Sequence, residues 1–226
     1  MGRKTKEDAA KTRQLLIDTA ILTFAQRGFS NTSLDDIAQA AKMTRGAIYW
    51  HFTNKTELFN AIWPNQLPVK DKISHKIALQ YQYMPAILLR HSLIETLRLI
   101  VHDPLECALA EIIYHKCEFT QGMTSESEIN ERLFFSRDHL TPLLEQCVKD
   151  NPAFPGCDID LAVIIIQAYM SGLVRNWLML NKSFDLDRLA PRLVDTLLGM
   201  LRATPDIHVP GITPAVHSPL PSTISP

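Results

Sequence analysis

Thr44-Arg45-Gly46-Ala47-Ile48-Tyr49-Trp50-His51-Phe52 holds, at helical spacing, the residue types that read a nucleic acid. A threonine hydroxyl at a helix start, beside the positive end of the helix dipole, suits a phosphate. The planar fork of Arg45 matches guanine O6 and N7 bidentately. Gly46 has no side chain to hold the backbone away from a duplex. Ile48 and Phe52, four residues apart, take the inward face and leave Tyr49, Trp50 and His51 outward. Lys55 adds a cation able to neutralise another phosphate, and Ser33 offers a second hydroxyl at a helix start. Each residue has a plainer use: Ser33 and Thr44 as caps, Arg45 and Lys55 as solvated charges, Tyr49 and Trp50 as core. An aromatic pair on the outward side of so short a helix nevertheless needs a partner beyond its own helix.

Other chemistries fit less well. His115-Lys116-Cys117-Glu118 supplies a nucleophile, a base and an acid, but four successive residues on a helix fan around it instead of converging. G-x-S-x-G, H-E-x-x-H and a phosphate-cradling glycine loop are all missing from the sequence, so no catalytic residue is expected. Cys107, Cys117, Cys147 and Cys157 are spaced 10, 30 and 10 residues apart, which matches no zinc template. Neither a metal nor a cofactor is expected, and a thiol-based redox sensor is the alternative the cysteines leave open. Without a C-x-x-C pair they read as reduced thiols in a cytoplasmic protein. The most apolar run, Leu161 to Val174, is flanked by Asp160 and Arg175, and the start is polar to Asp18, so neither a membrane span nor a signal peptide is expected.

Charge points the same way as the motif. The 226 residues are 46% hydrophobic and 21% charged, with net charge -1, which excludes a uniformly basic or wholly disordered chain. Residues 1–55 carry nine Lys or Arg against five Asp or Glu, a net of +4, and the remainder carries -5. A basic first quarter on an acidic body is the asymmetry of a nucleic-acid module joined to something with another task.

The elements that must position these residues are helices. Ile17, Ala20, Ile21, Phe24, Ala25 and Gly28 share one face of a helix from about Lys11 to Arg27, with Gly28 as a left-handed stop. Ser33 with Asp36 reads as a cap opening a short helix to about Ala41. Thr44 caps the next, and Asn54-Lys55-Thr56-Glu57 opens a fourth that Pro64 and Pro68 interrupt. Further helices are expected over Pro85 to Val101, Pro104 to Cys117, Ile129 to Lys149 (kinked or split at Pro142), Asp158–Asn181 and Asp187–Ala203. No strand is expected. Six of the last 22 residues are proline, which predicts a disordered tail.

Two short capped helices after a longer amphipathic one describe a helix-turn-helix. Residues 44–52, followed by Asn54-Lys55-Thr56-Glu57-Leu58-Phe59, strongly resemble the DNA-binding signature of the TetR family of transcriptional regulators. Phe24-Ala25-Gln26-Arg27-Gly28 resembles it too. Ile113-Tyr114-His115-Lys116-Cys117-Glu118-Phe119 and Ser171-Gly172-Leu173-Val174-Arg175-Asn176-Trp177-Leu178 look like the branch that represses multidrug-efflux operons, the AcrR/AcrS type. The resemblance implies an all-α fold, with an N-terminal three-helix helix-turn-helix DNA-binding domain and a larger C-terminal helical domain for ligand binding and dimerisation. The expected division is 1–55 for the DNA-binding domain, 56–203 for the effector-binding and dimerisation domain, and 204–226 for the tail.

A single helix-turn-helix reads few base pairs, so a dimer on a palindromic double-stranded operator is expected. Leu161, Ile164, Ile165, Ala168, Tyr169, Gly172 and Leu173 form one apolar face of the penultimate helix; Val163, Ile166, Met170, Val174 and Trp177 form another. Such a helix must be covered on both sides. The resemblance implies that the last two helices build the homodimer interface, with Ala168, Gly172, Arg175, Leu193 and Leu197 the residues expected in it. Trp63, Met84, Tyr114, Phe119, Phe134, Phe135 and Trp177 are candidate walls of an effector pocket, and Glu111 is a candidate partner for a cationic drug.

Overall fold

The structure, a computed structural model, describes residues 6–65, 81, 84–125, 128–129, 135–150 and 158–203. It is all-α, with no strand among the described residues. The helices are α1 (Lys6–Arg27), α2 (Leu34–Ala40), α3 (Arg45–His51), α4 (Lys55–Ile62), α5 (Pro85–His102), α6 (Pro104–Glu111), α7 (Arg137–Asp150), α8 (Ile159–Met179) and α9 (Leu186–Ala203).

Local chemistry sets most of the boundaries. α1 starts five residues before Lys11, with Glu7 and Asp8 against the positive end of its dipole. It stops where Gly28 turns left-handed at φ 82°. Ser33 and Asp36 form a reciprocal capping box, Thr44 accepts from the Ala47 N–H, and Asn54 accepts from the Glu57 N–H. α2 closes in a Schellman motif: the Lys42 N–H donates to Gln39 O and the Met43 N–H to Ala38 O, with Lys42 left-handed at φ 55°. That tight closure turns the chain into α3 within four residues.

One expectation holds at Pro64 and two others need correction. α4 ends at Ile62 in a 3₁₀ turn, Trp63–Asn65, which contains Pro64; Pro68 lies outside the described residues. The helix expected through Cys117 ends at Glu111 and continues as a π-type turn, Ile112–Lys116. The segment from Ile129 is not split at Pro142, which α7 accommodates within its length; the helix begins at Arg137, after non-helical Phe135 and Ser136. The loop at Asn151–Gly156, Phe134, and the tail at 204–226 lie outside the described residues.

Packing forms a head and a body around one continuous core. In the head, Leu16, Ile17, Ala20, Ile21 and Phe24 of α1 meet Ile37 of α2, Ile48 of α3 and Leu58, Phe59 and Ile62 of α4, each fully buried. In the body, α5 packs against α6, α7 and α9. Arg90 of α5 holds Asp195 of α9 with two parallel hydrogen bonds of 2.6 and 2.9 Å. Arg98 and His102 grip Asp187 at 2.9 and 3.1 Å. The joint between head and body is α6 and the π-type turn packed along α1, with Asn60 as a latch. Asn60 donates to Gly122 O at 2.8 Å and accepts from the Thr124 N–H at 2.7 Å.

α8 is long and apolar enough, by length and composition, to cross a membrane. Its inward face, Ala162, Val163, Ile166, Met170, Val174 and Trp177, is buried in the core of the body.

Candidate nucleic-acid interface

α3 stands on the surface with its apolar side down. Ile48 and Phe52 are buried, whereas Tyr49 is 43% exposed and Trp50 71% exposed. An indole left that open on a seven-residue helix contributes nothing to its own core. His51 packs edge-on against Trp50, ring centroids 4.5 Å apart. Arg45 is largely exposed, with its Nε 3.3 Å from the Asp35 carboxylate and its guanidinium 5.3 Å from the Tyr49 ring centre. Asp35 and Tyr49 therefore orient the fork outward. Gly46 has open space where a Cβ would stand.

Ser33, Tyr49, Asn54 and Lys55 all border one open depression of about 610 Å³, between the starts of α2 and α4. Ser33 is committed to the capping box: its hydroxyl donates to Asp36 at 2.5 Å and accepts from the Asp36 N–H at 3.1 Å. Lys55 reaches back under the α1–α2 loop, donating to Phe29 O at 2.6 Å and lying 4.3 Å above the Phe29 ring. Burial pulls its pKa below the ordinary lysine value. Its ammonium thus pins the loop that carries Ser33, a structural task the local sequence did not reveal. Arg13, 5.0 Å from the Phe52 ring centre, ties α1 to the end of α3 and was not singled out from sequence.

The caps make the head sensitive to acid. The Ser33 hydroxyl and N–H hold Asp36 below the usual carboxylate range, and the Thr53 hydroxyl and N–H do the same for Glu57. A carboxyl depressed in the folded state stabilises above its unfolded pKa and loses that contribution as pH falls through the folded value. The melting midpoint is therefore expected to fall as pH drops below about 4. Thermal melts of the parent against a Ser33→Ala, Thr53→Ala variant check it: the variant's midpoint should change less over that range.

The expected effector walls come from several elements: the turn after α4, the π-type turn and the segment beyond it, the stretch before α7, and the end of α8. Trp63 and Phe119 both pack edge-on against Phe59, at 5.3 and 6.3 Å. Trp63 is 2% exposed, and its indole N–H is buried without a hydrogen-bond partner among the described residues. It borders a depression of about 360 Å³ with Asn60, Met123 and Thr124. Trp177 belongs to a different place: its N–H donates to Phe184 O at 3.1 Å in the α8–α9 turn. Glu111 is paired with Lys182 at 3.1 Å and so is not a free carboxylate for a cationic ligand. Phe135 is buried, its carbonyl accepting from Gln167. Tyr114 is half-buried on the π-type turn. Met84 is 55% exposed, at the start of α5.

On the expected pairing face, Ala168 and Arg175 are exposed and Gly172 and Leu193 half-buried. Leu197 is fully buried in the chain's own core, because α9 turns that side toward α5.

A four-residue turn, an outward-facing short helix bearing arginine and aromatic side chains, and a supporting three-helix core define a helix-turn-helix DNA-binding protein. Residues 16–62 match the model of bacterial regulatory proteins of the tetR family, and residues 84–203 match the C-terminal region of the MAATS-type transcriptional repressors. The chain belongs to the TetR family and is a transcriptional regulator. It is 43% identical over 217 residues to the probable acrEF/envCD operon repressor of Escherichia coli, covering 96% of each chain. It is 38% identical to the transcriptional regulator AcrR of Shigella flexneri, covering 93% of this chain and 98% of that one. The structure resembles NalD, the secondary repressor of the MexAB-OprM multidrug efflux pump in Pseudomonas aeruginosa, with a TM-score of 0.64 at 29% identity, covering 85% of this chain and 96% of the other.

Proposed function

We propose that this protein acts in the cytoplasm as a homodimeric repressor of a multidrug-efflux operon, without cofactor or catalytic activity. Residues 1–55 form the reading head, 56–203 the effector-binding and dimerisation body, and 204–226 an appended tail. The observation that carries the reading is the exposed Arg45, Tyr49 and Trp50 surface of α3, raised on a core that needs none of them. The efflux repressors to which the chain is similar along nearly its full length support the choice of target. Thr44, Gly46, His51 and Lys55 border the same duplex surface, and Ser33 orders its edge. Leu161, Ile164, Ala168, Arg175 and Met179 form an outward stripe on α8, at helical spacing, that suits a second copy. Because Glu111 already has Lys182, apolar walls are the main attraction for an effector, which acts by favouring a dimer with wrongly spaced heads.

Selection of bound duplexes from a random pool tests the proposal, with an inverted repeat as the expected product. Arg45→Ala should then relax discrimination at one base pair per half-site, at a cost of roughly 1–3 kcal/mol. Recovery of no preferred sequence at physiological salt would overturn the operator reading.

A further inference from the structure

The turn between α2 and α3 carries the chain into the reading helix. Lys42 takes its left-handed position at φ 55°, with the Lys42 N–H donating to Gln39 O at 3.0 Å. Glycine holds that conformation without strain and closes many helices there. For lysine it is disfavoured, so the backbone alone favours another residue. An uncommon conformation beside a binding surface points to a task for the side chain it carries.

The Lys42 side chain is exposed and has no ion pair, hydrogen bond or ring contact among the described residues. Other cations of the head are engaged. Arg27 pairs with Asp36 and Arg45 with Asp35, each at 3.3 Å. Arg13 lies over the Phe52 ring, and Lys55 donates to Phe29 O. The Lys42 charge is thus open to a partner from outside the chain. Lys42 stands two residues before Thr44, so their Cα atoms are within about 7 Å of each other. An α-helix with its side chains is about 10–12 Å across, and the major groove is about 12 Å wide. With α3 filling the groove, a residue just ahead of its start faces the sugar–phosphate wall and not the base edges.

We propose that Lys42 is a further DNA-contacting residue, whose ammonium clamps a backbone phosphate at the groove wall at the expense of backbone strain in the turn. The contact is electrostatic, so it strengthens binding to every duplex alike and adds no base discrimination. Arg45 and the aromatic residues of α3 then supply the reading, and the turn before them supplies hold. This inference rests on α3 being the reading helix.

The test compares full-length Lys42→Gly, Lys42→Asn and Lys42→Arg with the parent, by fluorescence anisotropy on the selected operator and on a random duplex over a range of salt. Lys42→Gly and Lys42→Asn should each bind both duplexes at least about tenfold more weakly at about 0.1 M salt. Their salt slopes should be shallower by about two for a dimer, one phosphate for each head. Lys42→Arg keeps the cation and should restore the parental slope. Glycine and asparagine both tolerate the left-handed region, so neither variant should melt below the parent. A merely structural role for the turn would do the reverse, lowering the melting midpoint and leaving the slope in place. An unchanged slope in Lys42→Gly and Lys42→Asn, or an equal loss in Lys42→Arg, overturns the phosphate contact. A loss confined to the operator overturns it too, since the residue would then be reading bases. A lower midpoint for Lys42→Gly overturns the strain. The parent separates the two levels of failure: a parent that prefers no sequence sinks the operator reading, whereas a parent that selects an inverted repeat, matched by all three variants, sinks this inference alone.

Discussion

Ile164→Glu is expected to yield a folded chain that sediments as a monomer and has lost at least about a thousandfold in operator affinity, approaching the gap between specific and non-specific DNA binding. Ile164 is 54% exposed in the isolated chain, beside Leu161 at 40%, so a glutamate there disturbs no core contact of the folded protomer. In a two-fold dimer the same patch meets itself, and each copy would bury a carboxylate against apolar surface and against its own mate. The reading surface of one head is only a seven-residue helix, and specific affinity depends on two heads held at fixed spacing. Circular dichroism should show parental helix content and melting of the protomer. Sedimentation and fluorescence anisotropy on the selected operator give the two decisive readings. A variant that remains dimeric would remove α8 from the interface, and a monomer binding the inverted repeat like the parent would remove pairing from the mechanism.

Phe59→Ala should be the most destabilising single change in the head, at about 3–5 kcal/mol and a drop of roughly 6–20 °C in the melting midpoint. Phe59 is fully buried at the hub of an aromatic cluster. It packs against Phe24 at 6.1 Å, Phe29 at 5.3 Å, Trp63 at 5.3 Å and Phe119 at 6.3 Å. Those four rings come from α1, the α1–α2 loop, the turn after α4, and the segment beyond the π-type turn. Truncation therefore opens a cavity at the seam where head meets body. The loss should be felt as weaker coupling as well as lower stability, with operator affinity declining before global unfolding. A cost under about 1 kcal/mol would mean that neighbouring rings collapse into the space, and that the cluster does not hold the seam.

Much of the head was legible because its signals are short-range. The Ser33–Asp36 box, the Thr44 cap and the Asn54–Glu57 cap each connect residues three apart, so their presence in the sequence nearly specifies their geometry. The inward Ile48 and Phe52 and the outward Tyr49 and Trp50 follow from helical period alone, and the structure places them so. The two faces of α8 separate in the same manner, with Val163, Ile166, Met170 and Val174 inside and Leu161, Ile164 and Ala168 outside.

Whether the aromatic residues of the body line an effector site was not legible. Trp63, Phe119, Phe135 and Trp177 share a chemistry suited to lining a pocket, but that chemistry is equally suited to a core. Which it serves depends on neighbours far away in the chain. Glu111 looked like an unclaimed carboxylate until the α8–α9 turn brought Lys182 to it. Lys55 was read only as a phosphate cation, and the fold alone shows its ammonium also donating to the Phe29 carbonyl. Leu197 looked like part of a pairing face until the packing of α9 against α5 was seen to bury it.

From the order of its residues alone, this chain settled its helices, their caps, and which side of α3 meets water, since hydrogen bonds and periodicity within a few residues dictate those. The tertiary structure alone decided which charged groups are already occupied, where the aromatic rings converge, and what joins the reading head to the body. Those outcomes turn on contacts spanning 26 to 105 positions, as in Lys55 to Phe29 and Arg90 to Asp195. No local pattern encodes such contacts, because they form only when the packing of apolar faces brings distant polar groups within reach of one another.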